Sequence, residues 1–474
     1  MVFRTIYYRI NNILSYFIFK HITKSRILIN GLINTLPLFC VTLFCYAQNP
    51  IVPNKGLNDP HIHIFNDTAY VYASHDKSIK NDKFIMEDWW VWSSPDLVNW
   101  TKRSVLHPKD TYIGKDYSRC WATDAAYKNG KYYWYFSEGN EQTGVVVGDT
   151  PTGPWKDVLE KPLLSLNLTP THEYDMSIFQ ENDESYIFFG VWDYYVSKLN
   201  DDMISLAETP KKILVNNPRG PYNRDGKNID MPTDDKPFVH KYKGKYYLSW
   251  GCFYAMSDNL YGPYEYVDTI IKERSFAKGY DRPTWPNGFL QGRHGSFFEW
   301  HNQSYFVYCD ISQTGNRWFR DAFISYVHYK DNGKIATIRI DGVGVGQYDA
   351  NDGAIEAEDY FKSNGVHKSE NVIGGFSIEP NKANSSVTYP NIQNLDKKSS
   401  IEFEFLSKAE TEIEVREGHP SGKLLATCKF NTNKTKAFKT KGFNIGDLQN
   451  CQTICLVFKD SSLDNLKINR FRFT

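Results

Sequence analysis

One pattern recurs five times between residues 59 and 308: an ionisable residue, a few mostly apolar residues, a polar turn, then a run of Tyr, Phe and aliphatics. The copies open on Asp59-Pro60-His61-Ile62, Asp124-Ala125-Ala126-Tyr127, Asp175-Met176-Ser177-Ile178-Phe179, Asp235-Lys236-Pro237-Phe238-Val239 and His294-Gly295-Ser296-Phe297-Phe298. Their turns, such as Phe65-Asn66-Asp67 and Lys128-Asn129-Gly130-Lys131, are of hairpin type, so each copy reads as a β-hairpin. Successive leading residues stand 51 to 65 positions apart, room for a four-stranded antiparallel sheet with loops, which is one propeller blade. The repeat predicts an all-β fold whose first domain is a five-bladed β-propeller.

The chain has 474 residues, more than one ordinary core carries, since domains beyond about 250–300 residues usually split. A polar, turn-forming stretch, Tyr348-Asp349-Ala350-Asn351-Asp352-Gly353, marks a boundary. Beyond it come short alternating strands such as Ile401-Glu402-Phe403-Glu404-Phe405 and Glu412-Ile413-Glu414-Val415, the pattern of a β-sandwich. At the other end, a basic stretch at 20–26 precedes a largely apolar run at 27–44, and Cys45-Tyr46-Ala47 offers small residues for signal peptidase. The apolar run is also nearly long enough to span a membrane, so an anchor is the competing reading. The expected layout is a signal peptide at 1–47, a propeller at 48–348 and a β-sandwich of jelly-roll type at 349–474, with the mature protein periplasmic or secreted and no membrane association beyond the export signal.

Lys plus Arg equal Asp plus Glu at 55 each, so no net field draws the protein to nucleic acid or to an anionic membrane surface. Aromatic residues make up 16% of the chain, including 12 Trp and 32 Tyr, which suits stacking on sugar rings as well as packing between sheets. The six cysteines after the leader fit neither a disulfide framework nor a metal motif.

In a propeller the innermost strand of each blade runs along the central channel, so equivalent residues of the repeats converge on the axis. Four aspartates and a histidine are expected to meet there. Clustered carboxylates repel and resist burial, so four of them opening otherwise apolar strands point to chemistry. Inverting glycosidases use such groups: a carboxylate base activates water and a carboxylic acid protonates the leaving oxygen about 6.5–9.5 Å away. A third carboxylate near the acid raises its pKa by like-charge repulsion.

Asn58-Asp59-Pro60-His61, Trp121-Ala122-Thr123-Asp124, Tyr174-Asp175-Met176-Ser177-Ile178-Phe179 and Arg293-His294-Gly295-Ser296 resemble successive signatures of glycoside hydrolase family 43. The resemblance implies a general base at Asp59, a residue at Asp175 that tunes the acid and orients the sugar, and an aspartate of the second-blade motif at Asp124, which is also a candidate sugar contact. It also implies that His294 is the channel histidine linked to bound calcium or water. Where the family places a Glu followed by Gly-Pro as its acid, this chain has Asp235-Lys236-Pro237, shorter by one methylene or about 1.5 Å of reach. Asp235 is the expected acid, with Asp234, Glu173 and Glu138 as alternatives, although strand parity turns Asp234 away from the axis if Asp235 faces inward. Trp121, Trp250 and Trp285 are candidate walls of a sugar pocket, or else blade packing. Arg320 falls where the family commonly sends an arginine toward the sugar, or is an exposed solubilising residue.

After the boundary, Ile355-Glu356-Ala357-Glu358-Asp359-Tyr360 and the ending Arg470-Phe471-Arg472-Phe473 resemble a family 6 carbohydrate-binding module. That resemblance implies a structural calcium held by Glu356 and Glu358, with Asn469 standing where the family has an acidic ligand. The expected partner is an oligosaccharide or polysaccharide of plant type, with an arabinofuranoside or xyloside as the expected substrate, and no cofactor is expected to take part in bond cleavage. A propeller that binds glycans without cleaving them is the alternative.

Overall fold

The computed structural model describes residues 49–220, 233–277, 293–372, 374–431, 437–459 and 466–474. The expected signal peptide at 1–47 and Trp285 lie outside the described residues. Among those described, no helix is long and apolar enough to cross a membrane.

Each repeat forms a hairpin whose two turn residues both have positive φ: Asn66-Asp67, Asn129-Gly130, Asn182-Asp183, Lys243-Gly244 and His301-Asn302. Two left-handed residues give the turn whose twist matches that of paired strands, and Asn, Asp and Gly adopt that conformation at least cost. The innermost strands are Leu57–Phe65, Cys120–Lys128, Ser177–Glu181, Pro237–Tyr242 and Gly295–Trp300, each opening an antiparallel sheet. The first three blades have four strands, the fourth gains Val215–Asn216 as a parallel outer strand, and the fifth shows three among the described residues. Ile51 N–H donates to Ala322 O at 2.8 Å and the Asn49 amide to Ile324 O at 2.9 Å, so the segment ahead of the first blade lies along the fifth and closes the ring.

Neighbouring blades are joined at their inner strands. His61 and His63 reach Asp124, Asp124 accepts from Ile178 N–H, the Ser177 hydroxyl donates to Pro237 O, and Ile62 N–H donates to the Ser296 hydroxyl. Between the fourth and fifth blades the rings of His240 and Phe297 stack at 4.4 Å. Further out, aromatic side chains fill the wedges between sheets. Tyr72, Trp89, Trp134 and Phe136 pack together between the first and second blades, which uses much of the chain's aromatic content for packing.

From Tyr348 onward the strands belong to a sandwich with its own core. One sheet runs Val366–Glu370, Phe376–Pro380, Leu466–Phe473, Ser400–Ser407, Lys439–Asn444; the other runs Lys362–Asn364, Ser385–Tyr389, Ile454–Phe458, Thr411–Glu417, Leu424–Phe430. The Gln303 amide of the fifth blade donates to Glu358 O and Tyr360 O, binding the sandwich to the propeller.

Candidate active site

Counting back from the end of each inner strand places the leading residues. Asp59, Asp175 and His294 all stand six positions before the strand end, at the same height in the channel. In the fourth blade that height belongs to Lys236, and Asp235 comes one residue earlier, ahead of the strand. Asp124 stands only four positions before the end of its strand, which sets it deeper. The five leading residues are therefore not strictly equivalent, as the repeat suggested.

Asp59 is nearly buried and sits at a bulge between Asn58 and His61 with φ of 43°. Its Oδ2 accepts from the Asn58 amide at 2.7 Å and the Ser74 hydroxyl at 3.0 Å; its Oδ1 meets His294 Nδ1 at 3.1 Å and Arg320 at 3.6 Å. Burial alone would raise its pKa, but the charge of Arg320, the His294 hydrogen bond and the charge of Lys236 hold the carboxyl well below the usual range. It is an ionised carboxylate with two donors fixing its plane.

The other ring nitrogen of His294, Nε2, contacts Asp235 Oδ1, so one imidazole stands between two carboxylates. Burial disfavours its charge, yet Asp235 and the hydrogen bonds to both acids push the pKa of His294 well above its ordinary value. The expected link of His294 to a metal keeps a donor set here, since Asp234, Asp235 and His294 offer atoms within 4.8 Å of one another.

Asp175 shares the left-handed backbone, with φ of 55°, and its N–H donates to the Ser137 hydroxyl at 3.0 Å. Burial, followed by the charges of Asp235 and Asp59, pushes its carboxyl well above the carboxylate range. Asp234 also faces this cluster. Strand alternation cannot turn it away, because residues 233–236 precede the strand and Lys236 is left-handed. Burial and the neighbouring charge of Asp235 raise Asp234 to about 7. The remaining alternative acids are engaged elsewhere: Glu173 accepts from the backbone N–H groups of Asn167 and Thr169, and Glu138 from Tyr112 and Gln142.

Asp124 is corrected from a sugar contact to a brace. Fully buried, its Oδ1 takes His61 Nδ1 at 2.7 Å and His63 Nε2 at 2.6 Å, and its Oδ2 accepts Ile178 N–H at 2.7 Å. Trp250 is likewise corrected: it is 0% exposed, donates to Arg219 O at 3.0 Å and packs beside Tyr194 and Phe253 in the core. Trp121 is partly exposed, edge-on to Phe84, and donates to the Asn140 side chain, whose amide in turn donates to Tyr174 beside Asp175. Arg320 is buried rather than solubilising; it forms a two-pronged bond with Asp76 at 3.0 Å for each nitrogen and covers Phe84 at 4.6 Å. Asp76, His61, His63 and Lys236 were not singled out from sequence. The alternation of Asp59, His61 and His63 along one strand is the signal that marks the two histidines.

In the sandwich, the carboxyls of Glu356, Glu358 and Asp359 crowd together. Glu358 has one buried oxygen, Oε2, without a hydrogen-bond partner, a position a hard cation satisfies. Asn469 is engaged, its side-chain oxygen accepting from Asn371 at 2.8 Å.

A sequence profile of glycosyl hydrolases family 43 matches residues 47–335, and one of the carbohydrate binding module (family 6) matches 356–474. A xylosidase/arabinosidase of Bacteroides ovatus is 26% identical over 342 residues, covering 61% of this chain and 96% of its own. An arabinoxylan arabinofuranohydrolase of Paenibacillus polymyxa is 27% identical over 490 residues, covering 90% of this chain and 74% of its own. The solved structure of a glycoside hydrolase family 43 arabinoxylan arabinofuranohydrolase from Bacillus subtilis, in complex with cellotetraose, superposes with a TM-score of 0.52 at 20% identity. It covers 91% of this chain and 98% of its own, and so shares the fold.

Proposed function

The chain belongs to glycosyl hydrolases family 43 and is a glycosidase, and from that premise we propose that it cleaves its bond by single displacement with inversion, using Asp59 as base and Asp235 as acid. The observation that supports this most is the His294 ring between the two carboxylates. A hydrogen bond, one ring and a close contact hold them apart by at most about 8 Å, within the separation that leaves room for a water.

The low pKa of Asp59 suits a group that must be ionised to take a proton from water. Burial and then the charge on Asp235 raise the carboxyls of Asp175 and Asp234, so a proton is held beside Asp235. Asp235 delivers that proton, because its side chain is 30% exposed whereas Asp59 and Asp175 are nearly buried. Arg320, pinned by Asp76, keeps Asp59 charged rather than reaching for the sugar. Trp121 forms part of the wall of the sugar pocket.

Given the names of its relatives, the substrate is an α-L-arabinofuranoside or a β-D-xyloside of plant polysaccharide, and the leader exports the protein to it. Calcium at Glu356 and Glu358 braces the sandwich; chelation should lower the melting temperature of the wild type and leave Glu358→Gln unchanged. A panel of aryl arabinofuranosides, xylosides and galactosides followed by proton NMR tests the main reading. Release of the inverted anomer from either of the first two sugars supports it; a retained anomer, or turnover of neither sugar, refutes it.

A further inference from the structure

The fourth blade places a cation at the channel height where the first, third and fifth place Asp59, Asp175 and His294. Lys236 stands six positions before the end of its inner strand, as they do, and its φ of 54° repeats the 43° of Asp59 and the 55° of Asp175. That left-handed backbone is strained for a residue with a long side chain, and strain of this kind persists only where the surroundings hold it. The side chain is 1% exposed. Its Nζ crosses the channel and donates to the backbone carbonyl of Asp59 at 2.5 Å. That carbonyl lies in the bulge between Asn58 and His61, where the register of the pairing with Thr68–Asp76 slips and regular hydrogen bonding is interrupted. A buried ammonium needs such partners, and the carboxylates of Asp59 and Asp124 supply the balancing charge.

Lys236 also follows Asp235 directly in the chain. We propose that Lys236 is a positioning residue that sets the spacing of base and acid, its ammonium tying the backbone of Asp59 to the segment that carries Asp235. The inference rests on the roles given above to those two aspartates. A charge-assisted bond to a backbone oxygen fixes direction as well as distance, so the bulge presents the Asp59 carboxylate at one angle. The ammonium is buried, and it acts through the position of Asp59.

Three variants of the full chain test this by steady-state kinetics on an aryl glycoside that the wild type turns over, with circular dichroism and melting temperature as checks on folding. Lys236→Met keeps the length and removes the charge. Lys236→Gly removes the tether and relieves the left-handed strain, so it folds even if the methionine variant does not. Both are expected to lose tenfold to hundredfold in kcat with KM changed by less than about threefold, because a misplacement on the order of 1 Å costs turnover far more than ground-state binding. Asp59→Asn run alongside separates the two claims. If it is inactive while folded Lys236→Gly keeps wild-type kcat, the positioning role is overturned and the base assignment stands. If Asp59→Asn retains activity, the base assignment falls and the inference with it.

Discussion

His294 Nδ1 lies 3.1 Å from Asp59 Oδ1, and the opposite nitrogen of the same ring contacts Asp235, so a single imidazolium neutralises and spaces two acids that would otherwise repel. Replacing it by Gln leaves both carboxylates without their shared cation in a buried site. Removing one partner of such an arrangement typically costs about 3–5 kcal/mol. His294→Gln is therefore expected to lower the melting temperature and to reduce kcat/KM by about a hundredfold or more; a folded variant with wild-type turnover would show that the bridge is incidental.

Asp175 gives the opposite balance. Its carboxyl pKa is raised in the folded state, so its contribution to stability is present below its unfolded value of about 3.8 and is lost as pH rises. At neutral pH the native state bears the cost of crowding this group beside Asp235 and Asp59. Asp175→Asn should raise neutral-pH stability by about 0.5–2 kcal/mol while lowering kcat by at least about tenfold, the usual trade of stability for activity. Urea unfolding at pH 7 beside kinetics decides it, since loss of stability would contradict the assigned electrostatics.

Two tryptophans proposed for one pocket should behave differently. Trp250 is wholly enclosed, and Trp250→Ala should cost about 3–5 kcal/mol through the cavity it leaves. Trp121 is partly exposed above Phe84, and Trp121→Ala should leave stability within about 1 kcal/mol while raising KM. Denaturant melts and kinetics on both variants would reveal a reversal.

Acid should unfold the protein partly through buried histidines other than His294. Burial lowers His240 to about 3, and burial together with Lys368 lowers His328 to about 4, against an unfolded value of 6.5. A depressed pKa means that this stability is present above pH 6.5 and is lost as pH falls from 6.5 toward 4, by on the order of 1–3 kcal/mol per residue. His240→Phe should flatten the stability-against-pH curve in that window, measured by urea midpoints from pH 7 to 4. An unchanged slope would count against the burial argument.

The ring was legible because each hairpin carries its own local signal: alternating apolar residues around two turn residues that tolerate positive φ. Asp59, Asp175, Asp235 and His294 followed from aligning those signals. Asp234 was misjudged because strand alternation was extended to residues that precede the strand. Asp124 was misjudged because its height in the channel depends on where its hairpin turns, which sets it two residues deeper than Asp59. Trp250 and Arg320 depend on partners far along the chain; Asp76 meets Arg320 across 244 residues, and only closure of the ring brings them together. Lys236 was hidden by its position beside the acid, where it read as a departure from a motif rather than as a member of the ring.

The assignment of Asp235 as the proton donor is tested most directly by the leaving-group dependence of Asp235→Asn. On an aryl glycoside whose leaving phenol needs no protonation, the variant should keep kcat/KM within about tenfold of wild type; on an unactivated oligosaccharide it should lose about a thousandfold or more. Equal losses on both substrates, or the same selective pattern from Asp234→Asn with Asp235→Asn unaffected, would contradict the account.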